Sequence, residues 1–236
     1  NGGLAPTVSI LTDANNDAKI NAAEMGSAAN LSVKVGFDGS KVTAGDRVVL
    51  STGSTNQTLI IKDSDIANGF VLANVDKPAE GSSLTVSASL QDGSGGNASA
   101  LGSDSALLDT VAPALTSMVM DKTTLKIGDT AVVTLTFSEK VEGLDLSDLV
   151  APSGQLSNLL SSDGGKTWTV SFTPSTALDA PTNVIRLAST FTDLVNNPGT
   201  EASGPNYVVD TKAPSFTLQL SNASNSGSTS DLLTND

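Results

Sequence analysis

The same short linker occurs twice in this chain. Leu108-Asp109-Thr110-Val111-Ala112-Pro113 returns as Val209-Asp210-Thr211-Lys212-Ala213-Pro214, 101 residues on (109 to 210), and a worn copy, Leu4-Ala5-Pro6, stands near the start. Proline fixes its own φ and pushes the residue before it towards extended backbone, so each copy is a stiff connector. A spacing of about 100 residues is close to the commonest size of a folding unit. It predicts two domains, 1–109 and 110–210, with 211–236 as the start of a truncated third. The chain starts and stops mid-pattern, which reads as a fragment of something longer.

Within each repeat, short alternating apolar runs are separated by clusters of Gly, Asn and Asp, the pattern of an all-β sandwich. Strands are predicted at 7–11, 30–37, 47–50, 57–61, 70–75, 83–90 and 106–109. The second repeat offers 114–120, 131–137, a short piece near Leu149, 155–160, 167–173, 183–187 and 207–209. Phe37 and Phe137 end corresponding strands 100 residues apart (37 to 137), which supports the repeat. Ser162-Asp163-Gly164-Gly165-Lys166 reads as a hairpin turn, and Trp168 after it as a core or sheet-face residue. The third unit begins with a strand at 215–220 and then dissolves into Ser, Asn and Gly.

An odd number of alternating strands places the two ends of each domain at opposite poles, so seven-stranded sandwiches chain end to end into a rod. Loops after strands two, four and six then gather where a domain begins. Those after strands one, three and five gather where it ends. At the end of the first domain this places Asp13-Ala14-Asn15-Asn16-Asp17-Ala18-Lys19-Ile20-Asn21-Ala22-Ala23-Glu24. Oxygen donors at Asp13, Asn15, Asp17, Asn21 and Glu24, with the backbone carbonyl of Lys19, follow the spacing of a twelve-residue calcium loop. Ala18 stands where such loops usually have Gly, and the same residues also suit a polar loop of Asx turns. At the start of the second domain the rule places Glu139 and the segment Asp193-Leu194-Val195-Asn196-Asn197, whose counterpart in the first domain runs from Asp92 to Asn97. These groups are expected to converge on Asp109 at one junction. Carboxylates gathered there repel until a divalent cation screens them. Ca²⁺ accepts roughly six to eight oxygens in flexible geometry and tolerates ligands from two domains, whereas Mg²⁺ demands a strict octahedron. Chelation is therefore expected to increase bending between the domains.

Composition excludes several functions. With neither Cys nor His among the 236 residues, disulfides, thiolate zinc sites, Cys nucleophiles and imidazole bases are impossible. The net charge of -13, from 25 acidic and 12 basic residues, repels nucleic acid and anionic membrane surfaces. No apolar run is long enough to span a membrane, and no signal peptide is visible. The acidic residues lie in repeated turns, and at 3% aromatic content sugar-stacking platforms are scarce, so no enzyme is expected.

The Asp-Thr-x-Ala-Pro linker, Phe137-Ser138-Glu139-Lys140-Val141 and the Thr192-Asp193 to Asn197-Pro198 loop resemble the tandem bacterial Ig-like repeats of giant type I-secreted adhesins, the biofilm-associated and repeats-in-toxin kinds. The resemblance covers both full domains and the start of the third. It implies tandem Ig-like seven-stranded sandwiches acting as extracellular extenders on a bacterial surface. Calcium at the junctions would stiffen them, and they would hold a distal adhesive region away from the cell in cell adhesion and biofilm formation. Carried over, the metal-binding positions are Asp109, Asp210, Glu139, Asp193 and Asn197. The first domain departs from the pattern, with Phe37-Asp38-Gly39 in place of Phe-Ser-Glu, and the second lacks the twelve-residue loop. The expected partners are neighbouring repeats of the same chain, with a distal glycan or protein ligand outside this fragment, and the fragment itself is expected to be a monomer. The competing function is a module that binds carbohydrate or protein through its loops.

Overall fold

Alternation in the sequence becomes burial in the computed structural model, which describes residues 4–96 and 98–218. Leu31, Val33 and Val35 on one strand, and Val48 and Leu50 on another, point into a first apolar core that runs from Ile10 to Leu108. Val133, Leu135, Phe137, Val170 and Phe172 build a second, running from Met118 to Val209. Each core lies between two sheets.

The first sandwich contains β1 (Thr7–Ile10), β2 (Lys19–Ile20), β3 (Asn30–Gly36), β4 (Arg47–Ser51), β5 (Asn56–Ile60), β6 (Phe70–Asp76), β7 (Ser82–Gln91) and β8 (Gly102–Leu108). Its sheets have the orders β1-β3-β6 and β2-β8-β7-β4-β5. The second contains β9 (Leu115–Met120), β10 (Thr124–Leu125), β11 (Ala131–Phe137), β12 (Leu149–Val150), β13 (Gly154–Ser161), β14 (Thr167–Pro174), β15 (Asp179–Leu187) and β16 (Ala202–Asp210). Its sheets are β13-β14-β11-β9 and β10-β16-β15-β12. That second arrangement is the four-plus-three strand order of an immunoglobulin constant-type sandwich, with β10 added. The two units differ at β5 and its counterpart β13. β5 hydrogen-bonds to β4, whereas β13 hydrogen-bonds to β14 in the opposite sheet.

Several features depart from the sequence reading. The two-residue strands β2 and β10 pair in parallel with the last strand of each unit, and so short a run carries no period to read. Two short helices, α1 (Ala22–Met25) and α2 (Asp63–Asn68), occupy segments expected to be coil. β15 and β16 begin earlier than predicted, despite Pro181 and Pro205. Their pairing is irregular between Ala180 and Asn183 and between Val184 and Arg186, and bulges of this kind accommodate a residue without an N–H. Trp168 is half-buried against the second core, and its Nε1 donates to Gly165 O at 2.9 Å. The hairpin before it is pinned by Asp163, whose carboxylate is drawn down to about 2 by hydrogen bonds from Thr167, Ser161 and Lys166. Of the strand expected at 215–220, Ser215 to Leu218 are not in a strand; with no sheet to join, Phe216 is 90% exposed. The rest of that strand, the remainder of the third unit and Asn97 lie outside the described residues.

Candidate metal centre

The chain reaches the junction along β2. Running beside β8, it takes Leu107 N–H on Ala18 O (2.9 Å) and Asp109 N–H on Ile20 O (3.0 Å). Carbonyls alternate in direction along a strand, so that of Lys19 points away from β8. Immediately afterwards Asn21 caps α1. Its Oδ1 accepts Glu24 N–H at 3.0 Å, while Glu24 Oε2 accepts Asn21 N–H at 3.1 Å, a capping box. The other groups of the twelve-residue loop are tied into Asx turns. Asp13, 6% exposed, accepts from Asp17 N and Ala18 N, Asn15 Oδ1 from Asp17 N, and Asp17 Oδ1 from Lys19 N. Glu24 Oε1 reaches back to Asn15 N at 3.4 Å. Asp13, Asp17 and Glu24 are not among the carboxylates that converge within metal-binding distance of one another.

Ala18 has φ +63°, the left-handed conformation that Gly would adopt there without strain. The Ala18→Gly variant is therefore expected to stabilise the first sandwich by about 1 kcal/mol, the strain it removes. A urea midpoint that stays level or falls would refute this.

Three carboxylates do converge. Asp109 in the linker, Glu139 after β11 and Asp193 after β15 each place an oxygen within 4.8 Å of the others, the one such set among the described residues. The two loops of the second sandwich are tied together by backbone bonds in both directions between Glu142 and Thr192. The linker is fastened at both ends. Thr110 donates its N–H and Oγ1 to Glu80, at 2.9 and 2.7 Å. Beyond it, Ala114 N donates to Ser138 Oγ, and Ser138 N to Ala114 O. Asp193 is 1% exposed. Its Oδ1 accepts from Val195 N and Asn197 N, and its Oδ2 from Asn197 Nδ2.

No ion pair reaches these three acids; among the described residues the ion pair is Lys122–Asp129, at 3.4 Å. Burial pushes Asp109 above the usual carboxylate range, and the charges of Asp193 and Glu80 add to this against a hydrogen bond from Val111 N–H. Burial likewise raises Glu139, followed by the charges of Asp109 and Asp193, with Lys166 opposing. The sign follows from linkage. Groups raised from 3.8 and 4.5 favour the docked arrangement below those values, and lose that contribution as pH rises through the raised ones. At neutral pH the three charges oppose docking. An all-oxygen set without nitrogen or sulfur suits a hard divalent cation, with Asp109, Glu139 and Asp193 as the residues able to hold it.

The first sandwich meets the loop 193–197 directly as well. Lys19 Nζ donates to Leu194 O (2.6 Å), Asn21 Nδ2 to Val195 O (3.1 Å) and Ala22 N to Asn197 Oδ1 (2.7 Å). The structure thus assembles Asp109, Glu139 and Asp193, sets Lys19, Asn21 and Asn197 in direct contact across the junction, and keeps Asp13, Asn15, Asp17 and Glu24 within their own loop. Asp210 is exposed at the second linker, and no second set of three acids gathers there among the described residues. That linker is held instead by Thr211, whose Oγ1 donates to Ser175 O and whose N–H donates to Leu178 O. Glu80 was not found from sequence, although it lies in the loop after the fifth strand, which the parity rule sends to this same pole.

No curated protein matches the chain. Residues 109–209, which hold Asp109, Glu139 and Asp193, match the family model described as a bacterial Ig-like domain. The second sandwich is thus similar to bacterial Ig-like domains along its length, in agreement with its strand order.

Proposed function

We propose that the chain is a non-catalytic extender from a bacterial surface protein of the giant type I-secreted adhesin kind. Its sandwiches stand end to end as a rod, and Ca²⁺ held by Asp109, Glu139 and Asp193 stiffens their junction. The observation behind this reading is the meeting of a linker carboxylate with two loops of the following sandwich, unneutralised by any ion pair among the described residues. A cation there would turn repulsion at the hinge into a bond between linker and domain, removing bending freedom while leaving each core intact. The roles in adhesion and biofilm formation rest on the resemblance of the repeats.

Calorimetric titration with Ca²⁺, with small-angle scattering in calcium and in chelator, tests this. Binding heat and a narrower spread of interdomain angles in calcium are expected, and both effects should disappear in Asp109→Asn. In chelator, acidification towards pH 4.5 should narrow the spread of the unsubstituted chain, because protonation relieves the same repulsion. Identical scattering with and without calcium would refute the reading. One observation favours the competing function: a cleft of about 670 Å³ at the opposite pole of the first sandwich, lined by Leu4, Pro6, Phe37, Phe70, Leu90 and Lys34. Capture of a glycan on an array would support that function, with loss of the signal in Phe37→Ala placing it at the cleft.

A further inference from the structure

Asn197 joins three elements through one side chain that is 1% exposed. Its Oδ1 accepts the N–H of Ala22, the first residue of α1, at 2.7 Å. Its Nδ2 donates to the linker carbonyl Asp109 O at 2.8 Å and to Asp193 Oδ2 at 2.7 Å. The partners themselves decide which end is which, since an N–H must face the amide oxygen while a carbonyl and a carboxylate must face the nitrogen.

We propose that Asn197 acts as a latch and positioning residue rather than as a metal ligand. It docks the first sandwich on the second without any cation, and it sets Asp109 and Asp193 at a fixed separation before one arrives. The docking part stands apart from the calcium reading; the positioning part rests on it. The amide is specifically required. A carboxylate at 197 could still accept from Ala22 N–H, but it would point a second negative oxygen at Asp109 O and Asp193 Oδ2. A metal ligand would show the reverse preference, because added negative charge strengthens calcium binding.

Asn197→Asp separates the two roles, and Ala22→Pro tests the latch from the other side. Proline lacks the N–H that Asn197 Oδ1 accepts, yet it is well suited to the first position of a helix. Asn21 before it is already extended, at φ -93° and ψ 179°. Interdomain orientation is read in chelator by residual dipolar couplings, calcium affinity by calorimetry, and folding of each sandwich by circular dichroism and thermal unfolding. Both variants are expected to spread over a wider range of orientations in chelator than the unsubstituted chain, which bends there but keeps a preferred docked orientation. Asn197→Asp should also bind calcium roughly tenfold or more weakly, the usual effect of removing a group that orients ligands. Calcium affinity in Asn197→Asp equal to or above that of the unsubstituted chain overturns the proposal, as does native orientation in chelator for either variant. If Asn197→Asp does not fold, Ala22→Pro in chelator decides. If the unsubstituted chain takes up no calcium, the calcium reading fails and the chelator measurements alone decide the latch.

Discussion

Replacing Phe191 by alanine is expected to destabilise the second sandwich by about 4 kcal/mol, the usual loss when a fully buried aromatic ring leaves a cavity. The ring is 0% exposed and meets Phe137 edge-on, with centroids 5.2 Å apart and planes at 62°. Gly199 closes over it so tightly that a Cβ there would lie 2.2 Å from the ring. The expected damage goes beyond packing. Glu139 follows Phe137 by two residues and Asp193 follows Phe191 by two, so the aromatic pair is the platform that spaces two of the three clustered acids. Chemical denaturation should show the loss in the second sandwich with the first unaffected, and calcium binding should weaken with it. A loss below about 1 kcal/mol would mean that the core refills the space and that the ring does not support the loops.

Asp193→Ala is expected to cost about 3 kcal/mol, and to do so in chelator as well as in calcium. The carboxylate accepts Val195 N–H, Asn197 N–H and Asn197 Nδ2 inside a loop closed from solvent. Truncation leaves the two backbone N–H groups buried without an acceptor and strands one hydrogen of Asn197 Nδ2, whose other hydrogen still reaches Asp109 O. That costs more than the net value of the bonds. Asp193→Asn keeps the size and one acceptor oxygen, so it should lose less stability while still losing cation affinity. Equal stability of Asp193→Ala and the unsubstituted chain in chelator would show that the loop is held by other bonds.

Much of this architecture was readable before any coordinates. Alternation placed the long strands because a two-sheet core buries every second side chain, as at Leu31, Val33 and Val35. Strand parity brought Asp109, Glu139 and Asp193 to one pole, because direction reverses at each crossing. What escaped had physical reasons. β2 is held by backbone bonds to β8, which no side-chain pattern encodes. α1 depends on the capping box of Asn21 and Glu24, residues that also satisfy a calcium-loop spacing, so one pattern served two readings. The early starts of β15 and β16 were hidden by prolines that bulges absorb. The role of Asn197 turns on which of its two amide ends faces a donor, and only spatial neighbours decide that.

The differing place of β5 and β13 has a consequence for how neighbours fold. Repeats joined by a short tether are at high local concentration, and exchange of equivalent strands between them is a common route to misassembly. Here the equivalent strands are not interchangeable. β5 extends the sheet of β4, whereas its counterpart β13 extends the opposite sheet beside β14 and leaves β12 at an edge. A strand that replaced its counterpart in the neighbouring repeat would have to change layers, so direct exchange of the two is disfavoured by topology.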